Sequence, residues 1–100
     1  MIVRWSKRAA TQLLAAVDYL EGERTGSGAQ FHELVRDAVE AIAAHPRMFP
    51  VAPGIDDGEV RRALIRRFGY WLIYELIADE VIMLAVWHVR RRPVGLDDLG

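Results

Sequence analysis

A chain of 100 residues, 52% hydrophobic and 27% charged, is the size and composition of one packed domain, here residues 1–100, rather than of a disordered segment. The absence of cysteine removes disulfides and thiolate zinc sites, and no apolar run reaches the roughly 18 residues of a membrane span. A net charge of −1 by itself argues against a nucleic-acid binder, and no direct sequence-specific binding of nucleic acid is expected.

Met1 to Trp5 has neither the cationic region nor the apolar run of a signal peptide, so a cytoplasmic protein is expected. Ile2-Val3-Arg4-Trp5 instead reads as a short strand, ended by Ser6. Ser6 is placed to cap a helix whose apolar stripe is Ala10, Leu13, Leu14, Val17 and Leu20. Gly22 to Gly28 interrupts it. Ser27 stands three residues before Gln30, a capping-box spacing, and opens a second stripe of Phe31, Leu34, Val35, Ala38, Val39 and Ile42. Pro46 ends that helix, and the short link makes the pair an antiparallel hairpin.

Residues 46–58 hold three prolines and two glycines and read as a loop. Three strand signals follow, at Val60–Phe68, Tyr70–Ala78 and Val81–Arg90, with turns at Gly69 and Asp79-Glu80. Arg91 to Gly100 promises little order of its own. The expected fold is α+β: an N-terminal strand, an antiparallel helical hairpin and a three-stranded antiparallel meander, with the helices packed on one face of the sheet.

The last two strands are apolar in both parities, where a half-buried sheet should alternate. Tyr70, Leu72, Tyr74 and Leu76 share one parity; Trp71, Ile73 and Ile77 share the other, broken by Glu75 alone. In the final strand Ile82, Leu84 and Val86 fall on one side and Met83, Ala85 and Trp87 on the other. Two helices cover one face of such a sheet. The second face is expected to meet a partner chain, rather than to be closed by the long loop and the tail.

Charge is uneven along the chain. Arg61, Arg62, Arg66, Arg67, Arg90, Arg91 and Arg92 are seven of the thirteen cationic side chains, and acids gather between Asp18 and Glu40. One basic surface on a near-neutral protein is therefore expected. His32 and His45 are isolated, and no carboxylates cluster with a histidine at ligand spacing, so neither a metal site nor a cofactor is expected. Phosphate-loop glycines and a hydrolase serine are likewise missing from the sequence.

Gly58-Glu59-Val60-Arg61-Arg62, Arg67-Phe68-Gly69-Tyr70, Ile73-Tyr74 and Val86-Trp87-His88-Val89-Arg90-Arg91 together resemble the ParE branch of the ParE/RelE toxin superfamily. The likeness is specific in the second half of the chain and architectural in the first, where the order of elements and the proline after the second helix match. It implies a cytoplasmic toxin of a type II toxin–antitoxin pair that inhibits DNA gyrase by binding it. A cognate antitoxin would neutralise it by folding a disordered C-terminal segment onto the toxin, which needs a preformed apolar surface. Trp71, Tyr74, Trp87 and Arg61 are then the antitoxin-binding candidates, parity leaving open which face is used, and Arg90, Arg91 and Arg92 the target-binding ones.

RelE-type relatives instead cut messenger RNA on the ribosome, which needs a base, an acid and cations for the phosphorane. His88 would be the base, with Arg61, Arg62, Arg66 or Arg67 as phosphate clamps. After His88, however, comes no tyrosine, histidine or lysine to serve as the second acid–base group. A binding toxin without chemistry of its own is the reading preferred over the ribonuclease. A third reading is a non-toxic, antitoxin-binding protein of the same fold.

Overall fold

The computed structural model describes residues 1–55 and 59–100; the part of the expected loop at 56–58, and the glycine that opens the resemblance, lie outside them. Strand β1 (Ile2–Trp5) turns Val3 and Trp5 toward the core and leaves Arg4 outside, where it pairs with Glu80 at 2.8 Å. Helix α1 (Lys7–Glu23) begins where the Ser6 hydroxyl accepts from the Ala9 N–H at 3.0 Å. Its buried stripe is Ala9, Leu13, Ala16, Val17 and Leu20, one step round from the expected one, and Leu14 is 64% exposed.

Helix α2 (Ser27–Ala44) starts one residue earlier than a cap at Ser27 requires. Gly26 is the N-cap, at φ 92°, and has no side chain to give. The Glu21 carboxylate from the end of α1 supplies what is missing, accepting from the N–H groups of Gly26 and Gly28 at 3.0–3.1 Å. Gly28 has a second role: a Cβ there would sit 2.8 Å from the Val17 carbonyl, so the hairpin closes only on glycine. All six residues of the expected α2 stripe reach the core.

Strands β2 (Val60–Ile65), β3 (Tyr70–Ile77) and β4 (Glu80–His88) form the antiparallel meander, and β1 joins it in parallel beside β4, giving the order β1-β4-β3-β2. β2 ends three residues before Phe68, because residues 66–69 make a four-residue turn in which the Gly69 N–H returns to the Ile65 carbonyl at 2.9 Å. The other turn is Ala78-Asp79, with Ala78 in the left-handed region at φ 54°.

A bulge changes the parity of β4. Ile73 pairs with Ala85 and Tyr74 with Met83, so Leu84 is the extra residue. Val81, Met83 and Val86 therefore face the helices, while Leu84, Ala85 and Trp87 face away. The strict alternation expected of this strand, which grouped Met83 with Trp87, is broken at that point. Past the end of β1, the Val86 N–H on the sheet edge donates to Gln12 of α1 at 2.8 Å.

The main core lies between the helices and the sheet, around Phe31, Ile42, Leu72, Tyr74, Val81 and Met83. The second face is not left for a partner chain to cover. Ala52 and Ile55 of the proline-rich loop and Val94 and Leu99 of the tail pack on Val60, Ile73, Ala85 and Trp87 to make a smaller second core. The tail owes this to specific bonds as well as to apolar contact. Trp87 Nε1 donates to the Arg92 carbonyl at 2.9 Å, Arg92 grips Asp98 through two bonds of 2.8 and 2.9 Å, and Leu96–Asp98 form a turn of 3-10 helix.

Candidate functional site

The seven arginines of the second half do not form one rim. Arg61 points along the sheet into the loop, 17% exposed, where its Nη1 donates to the Phe49 carbonyl at 2.6 Å and its Nη2 lies 3.4 Å from Glu59. Arg47 pairs with the same Glu59 at 3.0 Å, and the two guanidiniums, Arg47 chiefly, hold that carboxyl below its ordinary range. Arg92 is committed to Asp98. Its guanidinium and then the Gly95 N–H hold the Asp98 carboxyl well below the usual carboxylate range.

Arg62 and Arg91 behave differently. The Arg62 guanidinium carbon lies 3.6 Å above the Trp71 ring centroid, and that of Arg91 lies 3.8 Å above Trp87. Both distances are well inside cation–π range. Trp71 and Trp87 are direct cross-strand partners of β3 and β4. The two stacked pairs therefore stand side by side, around a cavity of about 210 Å³ walled by Pro53 and Pro93. Arg90 is exposed, next to this surface in the chain.

The expected antitoxin-binding residues separate accordingly. Trp71 is half-buried at the cavity and Trp87 is 3% exposed beneath it. Tyr74 is wholly enclosed on the opposite, helix-covered face. There its hydroxyl donates to the Pro46 carbonyl at 2.5 Å, and burial pushes the phenol up to about 12. Tyr74 and Arg61 thus both hold the loop that follows α2, one from the core and one from the edge. The expected target-binding run Arg90, Arg91 and Arg92 splits three ways: into solvent, onto Trp87, and onto Asp98. The participation of Arg62 in the tryptophan surface was not read from the sequence. The signal was available, since Arg62 and Trp71 fall in facing parities of adjacent strands.

His88 belongs to the helix-side face. It pairs with Tyr70 across the strands and meets that ring edge-on, with centroids 4.9 Å apart. Its Nδ1 accepts from the Arg90 N–H at 3.0 Å, which places the ring proton on Nε2 when the imidazole is neutral. Of the phosphate clamps expected for a ribonuclease, the exposed Arg66 and Arg67 lie in the turn that leads into Tyr70, at the His88 end of the sheet, but Arg61 and Arg62 do not join them. Arg62 stacks on the other face of the sheet. Arg61 shares the face of His88 but sits at the Tyr74 row of β3, four residues from the Tyr70 row, roughly 13 Å along the strand. Among the described residues no group of His, Asp or Glu is placed to hold a metal ion, and no helix is long and apolar enough to cross a membrane.

A helical hairpin thus covers one face of a four-stranded mixed sheet, and an arginine–tryptophan surface lies on the other. The fold is similar to that of a chain from a chromosomal ParDE TA system of P. aeruginosa, with a TM-score of 0.66 over 90% of this chain and 97% of that one, at 19% identity. The sequence matches none of the curated proteins with which it was compared. Residues 3–93 match the family model of the ParE toxin of type II toxin-antitoxin system, parDE. The chain belongs to the ParE toxin family.

Proposed function

We propose that this ParE-family toxin acts in the cytoplasm by binding DNA gyrase, that it catalyses no reaction itself, and that a cognate antitoxin neutralises it by folding a disordered C-terminal segment onto its surface. The family membership supports a toxin with an antitoxin partner. The observation that carries the non-catalytic reading is that no tyrosine, histidine or lysine follows His88 as a second acid–base group, and that two of the four arginines a ribonuclease would draw on are engaged elsewhere. His88 Nδ1 is engaged by the Arg90 N–H, Arg61 is spent on the loop and Arg62 faces the other way. Proton transfer in such an enzyme needs its groups within hydrogen-bond reach of one substrate. Binding of target and antitoxin instead draws on Trp71, Arg90 and Arg91, with the buried Trp87 supporting Arg91 from beneath, aromatic and arginine side chains being those that dominate protein interfaces.

Growth arrest on induction tests this, read beside supercoiling by purified gyrase and messenger-RNA cleavage on ribosomes. His88→Gln should leave arrest and supercoiling inhibition largely intact. Arg90→Glu with Arg91→Glu should weaken both strongly, without disturbing the Arg92–Asp98 pair. Ribosomal cuts that vanish with His88→Gln, while supercoiling is untouched, would replace this reading with the ribonuclease one.

A further inference from the structure

We infer that the cavity between Arg62 and Arg91 is a receptor for an acidic peptide segment, taking a carboxylate on the two guanidiniums and a neighbouring apolar side chain on the floor between them. This rests on the reading of the chain as a toxin that works by protein contact, and it adds the chemistry of the segment recognised.

Three observations lead there. First, stacking uses the face of a guanidinium and leaves the N–H donors in its plane. Among the described residues, Arg62 and Arg91, like Arg24, Arg66, Arg67 and Arg90, donate from their side chains to no carboxylate, whereas Arg4, Arg36, Arg47, Arg61 and Arg92 each have an acidic partner. What sets Arg62 and Arg91 apart is that each is stacked on a tryptophan. Two planar forks are thus held in place by indoles and, among the described residues, left without an anion. Holding them beforehand reduces the ordering entropy of binding.

Second, the floor is apolar, with Ala52, Ile73 and Val94 beneath the forks. An inorganic anion would leave that surface wet. A carboxylate carried next to an aliphatic or aromatic side chain satisfies both parts.

Third, size and geometry disfavour a nucleotide. The cavity measures about 210 Å³, below the roughly 300–1,000 Å³ of pockets that enclose drug-sized ligands. The indole faces on which a base would stack are already occupied by Arg62 and Arg91. One protein side chain and its acidic neighbour fit where a nucleoside phosphate does not.

The test is calorimetric titration of the full-length protein with four probes. These are a blocked Gly/Ser decapeptide with Glu-Leu-Glu at its centre, its Gln-Leu-Gln and Glu-Ser-Glu counterparts, and a single-stranded thymidine decamer. The Glu-Leu-Glu peptide should bind most tightly, and each counterpart about tenfold or more weakly, as expected when charge-assisted hydrogen bonds or a buried side chain are lost. Arg62→Gln and Arg91→Gln should each weaken it about tenfold with the circular dichroism unchanged. Arg62→Lys and Arg91→Lys keep the charge but not the fork, and should fall between. Failure of the peptide to bind, equal binding of the Gln-Leu-Gln or Glu-Ser-Glu peptide, or tighter binding of the decamer would each overturn the inference. None of these readouts involves gyrase or growth, so peptide binding without supercoiling inhibition would sink the proposed function alone.

Discussion

The two faces of the sheet are similarly apolar and are closed in different ways. On the helix side, Phe31, Ile42, Leu72, Tyr74, Val81 and Met83 have no exposed surface. Two long amphipathic helices satisfy their own backbones and lay a continuous stripe on the strands. On the other side the cover is the irregular chain of a loop and a tail. Irregular chain must find partners for its polar groups one by one. Arg92 with Asp98, Gly95 with Asp98, Trp87 with the Arg92 carbonyl and Arg8 with the Asp97 carbonyl are those partners. Such a cover seals less completely, and it leaves the half-buried Trp71, two stacked arginines and a cavity. Structural strength resides on the first face, and the proposed recognition on the second.

The sharpest way to break this contrast is to cut into the helix-covered core. Phe31 packs on Phe68 and Tyr70 with ring centroids 5.7 and 4.9 Å apart and is fully buried. Phe31→Ala should lower stability in urea unfolding by about 3–5 kcal/mol. Ending the chain after Pro93 removes Val94, Leu99 and Asp98 from the second face. The loss there should be smaller, about 1–3 kcal/mol, with new binding of a hydrophobic dye at Trp87 and Ile73. A truncation as costly as Phe31→Ala would erase the distinction.

The smallest effects come from pH, and they separate the faces by sign. Asp98 titrates in the folded chain below its ordinary value of 3.8. Its contribution is therefore complete above that value and lost as pH falls from there through the folded value. Tyr74 is raised from 10.0 to about 12. Its contribution is complete below pH 10 and lost as pH rises toward 12. Hydrogen exchange should thus show the tail loosening first in acid, and the core around Tyr74 and the Pro46 carbonyl loosening first in alkali. Tail release at the alkaline end with an intact core would contradict both assignments.

Local pattern made most of the fold legible. Ser6 as a cap, the stripe from Phe31 to Ile42, the stop at Pro46 and the three meander strands are properties of neighbours in sequence, where helix and strand periods are written. The misses are of another kind. Leu14 lies beside the buried seam, where an apolar residue reads in sequence like one within it. Ser27 resembled a cap, but the charge that caps α2 comes from Glu21 in the preceding helix.

The sequence by itself determined an α+β fold with two apolar sheet faces, an uneven distribution of arginines and the pattern of a ParE-type toxin. Tertiary structure alone decided how those faces are used. The Leu84 bulge turned Ala85 and Trp87 away from the helices, and the loop and tail closed over the second face. The arginine run was divided among solvent, an indole and a carboxylate. None of this is visible in periodicity. It depends on which distant residues meet, and on the need of each buried polar group to find a partner there.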